Sequence, residues 1–227
     1  MLTPYDWQEG IGNRAQYIEG KLAQGSPVLA ISLPDGILVY AFKRQTRKIY
    51  EIYDRLIFSA IGQQSDVEAL RSSAVDFAHQ EGYNRSEQDV TIQRVVQALS
   101  SPLKRAFGDF SASPIVARSL FAEVGSNPEQ DVFYMLDYDG DYTTSKGGAV
   151  VAGTDEVAGA LKSKLDELDR SLSGEALLSA MREIWLSGRD AGFEIEDSAL
   201  ADLSPEATLL ERREDRENRF KVLLRED

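Results

Sequence analysis

The sequence predicts an α/β fold of the α+β kind: a four-layer αββα sandwich of two antiparallel sheets flanked by helix pairs, with an extra N-terminal helix. Three observations carry this. Short apolar runs bounded by turn residues occur in blocks at 27–61, 114–154 and 207–224. Between those blocks helical periodicity arrives in consecutive pairs rather than singly, which argues against a doubly wound parallel sheet and for helices layered on antiparallel sheets. At 227 residues the chain can bury a full core undivided. It is therefore taken as a single domain over 1–227, with an N-terminal segment and helix at 1–22 and a C-terminal strand pair at 205–227.

The first element follows from "TPYDWQEGIGNRAQYIEGKL", in which a hydroxyl residue and a Pro open a helical register. Trp7, Ile11, Ala15, Ile18 and Leu22 recur there at spacings of three and four, the apolar stripe of an amphipathic helix. Next, "GSPVLAISLPDGILVYAFKR" places two apolar runs around Pro34-Asp35-Gly36, the chemistry of a tight hairpin turn. A basic link, Gln45 to Lys48, leads to "IYEIY" and "LIFSAIG", two further strands turning at Tyr53-Asp54-Arg55.

The period then changes. Val67, Leu70, Ala74 and Phe77 mark one helix, and Ile92, Val95, Val96, Leu99 and Leu103 a second, read as starting at Ser86 with Asp89 completing a capping arrangement. Strands return at "PIVARSLFAEVG", "DVFYMLDYDG" and "GGAVVAGT". Thr154 caps a helix of Val157, Leu161, Leu165 and Leu168, and another runs from Ser173 to Leu186. Gly192 to Pro205 reads as irregular, and "ATLLERR" and "RFKVLL" close the chain as strands.

Composition narrows the chemistry. There is no cysteine and one histidine, which removes disulfides, thiolate metal sites, a cysteine nucleophile and most Ser-His chemistry. Thirty-eight acidic residues against 25 basic ones give a net charge of −13, a surface that repels a phosphate backbone, so no nucleic-acid partner is expected. No apolar run approaches the roughly 18 residues of a membrane span, and the N-terminus lacks the charged-then-apolar order of a secretory signal; a soluble, cytoplasmic protein with no membrane partner is expected. No metal or cofactor is expected either. The run "DYDGDY" alternates carboxylates as a calcium loop does, but position 12 from Asp137 is Gly148 rather than Glu, and a hairpin corner at Asp139-Gly140 is the better reading. His79 reads as a half-buried or surface histidine near a helix C-terminus, and Trp185 as core. The alternating charges from Glu211 to Arg219 read as a solvated turn.

The helix before the first strand, the hairpin at 25–44, "KIYEIYDRLIFSAIG", "VEALRSSAVDFAHQEGY" and "GGAVVAGTDEVAGALK", in this succession, resemble a proteasome α-subunit of the bacterial type, within the N-terminal-nucleophile hydrolase architecture. In the active β-type subunits of that family a processed chain begins at a Thr whose own amine is the base, helped by an Asp and a Lys. Here Ser26 takes the place of that Thr behind 25 residues of chain, Pro27 follows it, and Phe42 stands where the Asp would be. Lys48 matches the family's Lys. Ala152 and Phe193 replace the serines that contact the amine, with Asp190 nearby.

The resemblance therefore implies a noncatalytic subunit, with no catalytic residues of its own. It would assemble with other copies of itself in a heptameric ring, stack on proteasome β-subunits, dock an ATPase activator and admit unfolded protein substrates. Met1, Leu2, Thr3, Pro4 and Tyr5 would form the gate, and Trp7, Ile11 and Ile18 the ring-contact helix. Gly25, Lys48, Gly62 and Gln63 would line the activator-binding pocket, Lys48 as the cation that pairs a tail carboxylate. The alternative is a self-processing peptidase that cleaves at Gly25-Ser26 and uses Ser26 as its nucleophile; a third reading is a lone sandwich domain used for binding.

Overall fold

The structure, a computed structural model, describes residues 4–213 and 218–224. In chain order the elements are α1 (Pro4–Leu22), β1 (Val28–Leu33), β2 (Gly36–Lys43), β3 (Ile49–Tyr53), β4 (Leu56–Gly62), α2 (Gln64–Asn84) and α3 (Ile92–Gly108). They continue with β5 (Ala117–Glu123), β6 (Val132–Leu136), β7 (Tyr142–Ser145), β8 (Gly148–Val151), α4 (Asp155–Asp166), α5 (Gly174–Leu186), α6 (Asp197–Ala201), β9 (Ser204–Glu211) and β10 (Phe220–Val222). One sheet has the order β10-β9-β2-β1-β8 and the other β3-β4-β5-β6-β7. Every pairing is antiparallel. The expected four layers are present.

Because side chains alternate across a strand, β1 serves two cores at once. Val28 and Ala30 face the space between the sheets with Val39, Ile57, Leu120 and Phe133. Leu29 and Ile31 face outward to Leu161, Met181 and Trp185 of α4 and α5. On the opposite side Val95, Val96 and Leu99 of α3, with Val67 and Leu70 of α2, cover Phe58 and Phe121. Strands buried on both faces read as continuous apolar runs, which is why the first hairpin is so plain in the sequence.

Four details differ from the sequence reading. β7 was not anticipated: its Tyr-Thr-Thr-Ser is almost entirely exposed at a sheet edge and carries no apolar alternation. α3 begins at Ile92 rather than Ser86, since the preceding residues form a 3₁₀ turn, Glu87–Asp89, and Val90 is buried in extended backbone. The irregular stretch contains the short α6, and in α2 it is Ala78, not Phe77, that is fully buried.

The end of the sandwich that carries the β1–β2 turn is locked by one buried carboxylate. Asp131, with no exposed surface, accepts from Ser32 Oγ at 2.5 Å, from the Gly125 N–H at 2.8 Å, and from Arg212 Nη1 and Nη2 at 2.6 and 2.8 Å. Arg212 spends its other donors on the carbonyls of Leu33, Pro34 and Gly125. A bidentate pair with all its groups satisfied is the arrangement in which burying charge is tolerable. Asp131→Ala, which strands the guanidinium, is expected to lower unfolding free energy by about 3–5 kcal/mol in urea titration, while Asp166→Ala, from the exposed Lys162–Asp166 pair, costs about 0.3–0.5 kcal/mol. Equal costs for the two would remove the clamp from the account of this fold.

Candidate functional site

At the other end of the sandwich α1 runs into the space between the sheets. Ile18 and Leu22 are fully buried in the inter-sheet core, and the chain then turns, the Gly25 N–H donating to the Leu22 carbonyl at 2.7 Å. Gly25 sits so tightly that a Cβ would lie 2.9 Å from the Leu22 oxygen and 3.0 Å from Cβ of Ile61. Ser26 follows directly and leads into β1.

The Ser26 hydroxyl donates to the Phe42 carbonyl at 3.0 Å. Its main-chain nitrogen is a peptide nitrogen after Gly25 and not an amine. The ring of Phe42 lies 4.4 Å from that of Trp185, and Trp185 meets Phe193 edge-on at 5.3 Å, all three buried. The Trp185 indole N–H donates to the Pro27 carbonyl at 2.8 Å, fixing this aromatic wedge to the start of β1. Ala152 is fully buried and Asp190 exposed on a 3₁₀ turn, Ser187–Ala191. The hydroxyl is thus engaged by a carbonyl, and the side chains packed beside this start of β1 are aromatic.

Lys48 does come to Ser26, but to its carbonyl, Nζ donating at 2.7 Å. Burial pushes its pKa down to about 8 from 10.5, with the charge of Glu206 opposing. Glu206 was not singled out in the sequence. It is almost fully buried, accepts the Lys48 main-chain N–H at 2.8 Å and pairs with Arg47 at 3.3 Å, so it orients the link from β2 to β3. The signal that could have found it is parity: Glu206, Thr208 and Leu210 share one face of β9, and Leu210 belongs to the inter-sheet core.

The remaining expected pocket residues lie close by. Gly25 touches Ile61, the residue before Gly62, and Gly62 and Gln63 are exposed at the end of β4. Gly62 has φ +133°, and a Cβ there would lie 2.1 Å from the Val116 carbonyl, the same oxygen that accepts from the Gln63 N–H at 2.8 Å. Of the gate residues, Met1, Leu2 and Thr3 lie outside the described residues. Pro4 and Tyr5 belong to the first turn of α1 rather than to a segment before it, and Tyr5 is exposed.

Of the contact helix, Trp7 remains 46% exposed, edge-on to Phe110 at 4.9 Å, and Ile11 is half-buried. Ile18 is a correction: with no exposed surface it serves the domain's own core and leaves nothing for a neighbour. The "DYDGDY" run is a hairpin corner between β6 and β7, Gly140 at φ +86°, with Asp137 bound to Arg118. His79 is exposed and edge-on to Tyr53. Among the described residues no helix is long and apolar enough to cross a membrane.

Residues 22–191 match the family described as "Proteasome subunit". The chain belongs to the proteasome subunit family. Actinobacterial proteasome subunits of the α type are among its relatives. It is 31% identical to the proteasome subunit alpha of Kineococcus radiotolerans over 95% of this chain and 92% of that one. It is 28% identical to that of Streptomyces coelicolor over 99% and 87%. With the proteasome subunit alpha of Streptomyces griseus it shares 32% identity over 69% of this chain and 59% of that one. The resemblance to a bacterial-type α-subunit is thus borne out.

Two outcomes follow for this site. Ser26→Ala is expected to lower the chain mass only by the one oxygen atom it removes and to abolish no peptide hydrolysis, read by intact-mass spectrometry and a fluorogenic peptide assay; a wild-type chain starting at Ser26 that is lost in the variant would restore the self-processing alternative. Lys48 binds its proton less tightly folded than unfolded, so its charge opposes folding below about pH 8 and that cost is relieved as pH rises toward 10.5. Replacing it in Lys48→Met is expected to flatten this part of the stability curve, compared by urea midpoints at pH 7 and 9.5; identical slopes in both proteins would refute the buried-amine assignment.

Proposed function

We propose that this chain is a noncatalytic structural and gating α-subunit of a bacterial-type proteasome core particle. It forms an outer ring with copies of itself, stacks on β-subunits that carry the nucleophile, and docks an ATPase activator that feeds unfolded chains inward, in the cytoplasm. The observation that carries the noncatalytic part is the wedge of Phe42, Trp185 and Phe193 beside a Ser26 whose hydroxyl is bound to the Phe42 carbonyl. A nucleophile needs an adjacent base, and here apolar rings fill the place of the acid and the amine contacts.

The gating and docking parts rest on the surface around that site. Gly25, Lys48, Gly62 and Gln63 lie at one end of the sandwich, with a cation that makes no ion pair within 4 Å among the described residues, Glu206 being bound to its main chain instead. A terminal carboxylate arriving there exchanges a carbonyl partner for a charge-assisted one. Trp7 and Ile11, incompletely covered by their own domain, supply apolar surface to a ring neighbour.

The test is native mass spectrometry of the protein alone and with a β-subunit, followed by activator-stimulated degradation with Lys48→Ala. A sevenfold ring that survives the substitution while stimulation falls at least tenfold is expected. Absence of any ring with or without a β-subunit would overturn the assembly reading, and unchanged stimulation would take Lys48 out of docking.

A further inference from the structure

β7 is the last strand of its sheet, and neither β8 nor any other described strand pairs with its outer edge. Which main-chain groups that edge offers follows from the ladder. The Asp137 N–H donates to the Asp141 carbonyl at 2.9 Å, so the bonded rungs of the antiparallel pair are Met135 with Thr143 and Phe133 with Ser145. The N–H and C=O groups of Tyr142 and Thr144, on the alternate rungs, are directed outward. Edge strands are ordinarily guarded by a charge, a Pro, a bulge or short length. Tyr-Thr-Thr-Ser carries no charge or Pro, its register to β6 is unbroken, and Tyr142, Thr143 and Thr144 are exposed. Short length is the guard it keeps: with two outward rungs, a pairing strand needs a side-chain anchor as well.

A cavity of about 340 Å³ between the β6–β7 hairpin, the end of β8 and the first turn of α4 supplies that anchor. Met135 and Val151 line it from the inter-sheet side, and Asp139, Asp141 and Asp155 line it as well. The cation among its lining residues, Arg118, is committed to Asp137 at 2.9 Å and to the Ala152 carbonyl at 3.1 Å. Asp139 and Asp141 make no ion pair within 4 Å among the described residues, and the Asp155 side chain, 3.7 Å from Arg118, is 96% exposed. Thr143 lies opposite Met135 and shares its face, so the residue of an added strand that falls opposite Thr143 turns its side chain to the cavity. A long cationic side chain there lays its methylenes along Met135 and Val151 and keeps its charge among the carboxylates. We propose that the outer edge of β7 binds an extended segment of a partner protein by strand addition, with one Lys or Arg side chain of that segment seated in this cavity. Binding at this edge needs neither the ring nor the activator.

It is tested by fluorescence anisotropy of the full chain with a labelled peptide, Ser-Thr-Val-Arg-Val-Thr-Ser. A net charge of −13 attracts any cationic peptide, so the main-chain readout decides. N-methylating alternate peptide residues is expected to weaken binding at least tenfold in one of the two possible sets and to be tolerated in the other. Thr144→Pro removes an outward N–H that the pairing with β6 does not use, and is expected to weaken binding at least tenfold. Should that variant misfold, the surface pair Asp141→Asn with Asp155→Asn is expected to weaken binding severalfold, against Asp166→Asn, at the far end of α4, as the control. No binding of the peptide, equal effects of the two methylation sets, or a loss with Asp166→Asn as large as with the Asp141 and Asp155 pair would each overturn it. Self-association of the chain that Thr144→Pro abolishes would overturn it too, since a second copy then occupies the edge.

Discussion

Ile18 and Leu22, buried with no exposed surface where α1 enters the inter-sheet space, set the conditions for everything at that end of the molecule. Burying two such side chains is worth about 3–6 kcal/mol, a large part of the about 5–15 kcal/mol by which a domain is stable. The helix is therefore part of the core and not a detachable leader. Because the chain must then turn from Leu22 into β1 within a few residues, Gly25 is pressed against Ile61, and Ser26 is held as an internal residue with a peptide nitrogen.

The same constraint sets how the serine and the lysine beside it meet, at 2.7 Å. The contact is from the amine to the main-chain carbonyl of Ser26, while the hydroxyl points to the Phe42 carbonyl. Proton transfer needs the base within hydrogen-bond reach of the hydroxyl, and among the described residues the hydroxyl's partner is that carbonyl. Phe42, Trp185 and Phe193 fill the neighbouring pocket, and Lys48 is half-buried beside it.

Two buried carboxylates organise the two ends. Asp131 closes the turn end through Arg212, and Glu206 shapes the other by holding the Lys48 main chain and Arg47. Each is matched by donors from segments far away in the chain, as burial of charge demands.

What could be read from the sequence was whatever repeats along the chain. The stripe Ile92, Val95, Val96, Leu99 and Leu103 is buried as a unit, and the hairpin at Pro34-Asp35 pairs Leu33 with Gly36 as its turn chemistry requires, because helix and strand periods follow from backbone geometry. The departures Phe42, Ala152 and Phe193 from an active site were likewise visible as residue types. What has no period was hidden: the exposed edge strand Tyr142–Ser145, the 3₁₀ turn that delays α3, and the loss of Ile18 to the domain's own core. Most of all, Lys48 meets Glu206 across 158 residues and Asp131 meets Arg212 across 81, and no local pattern marks such pairs. They exist because folding brings a charge out of water and the tertiary structure must supply its partner from whichever strand lies nearest.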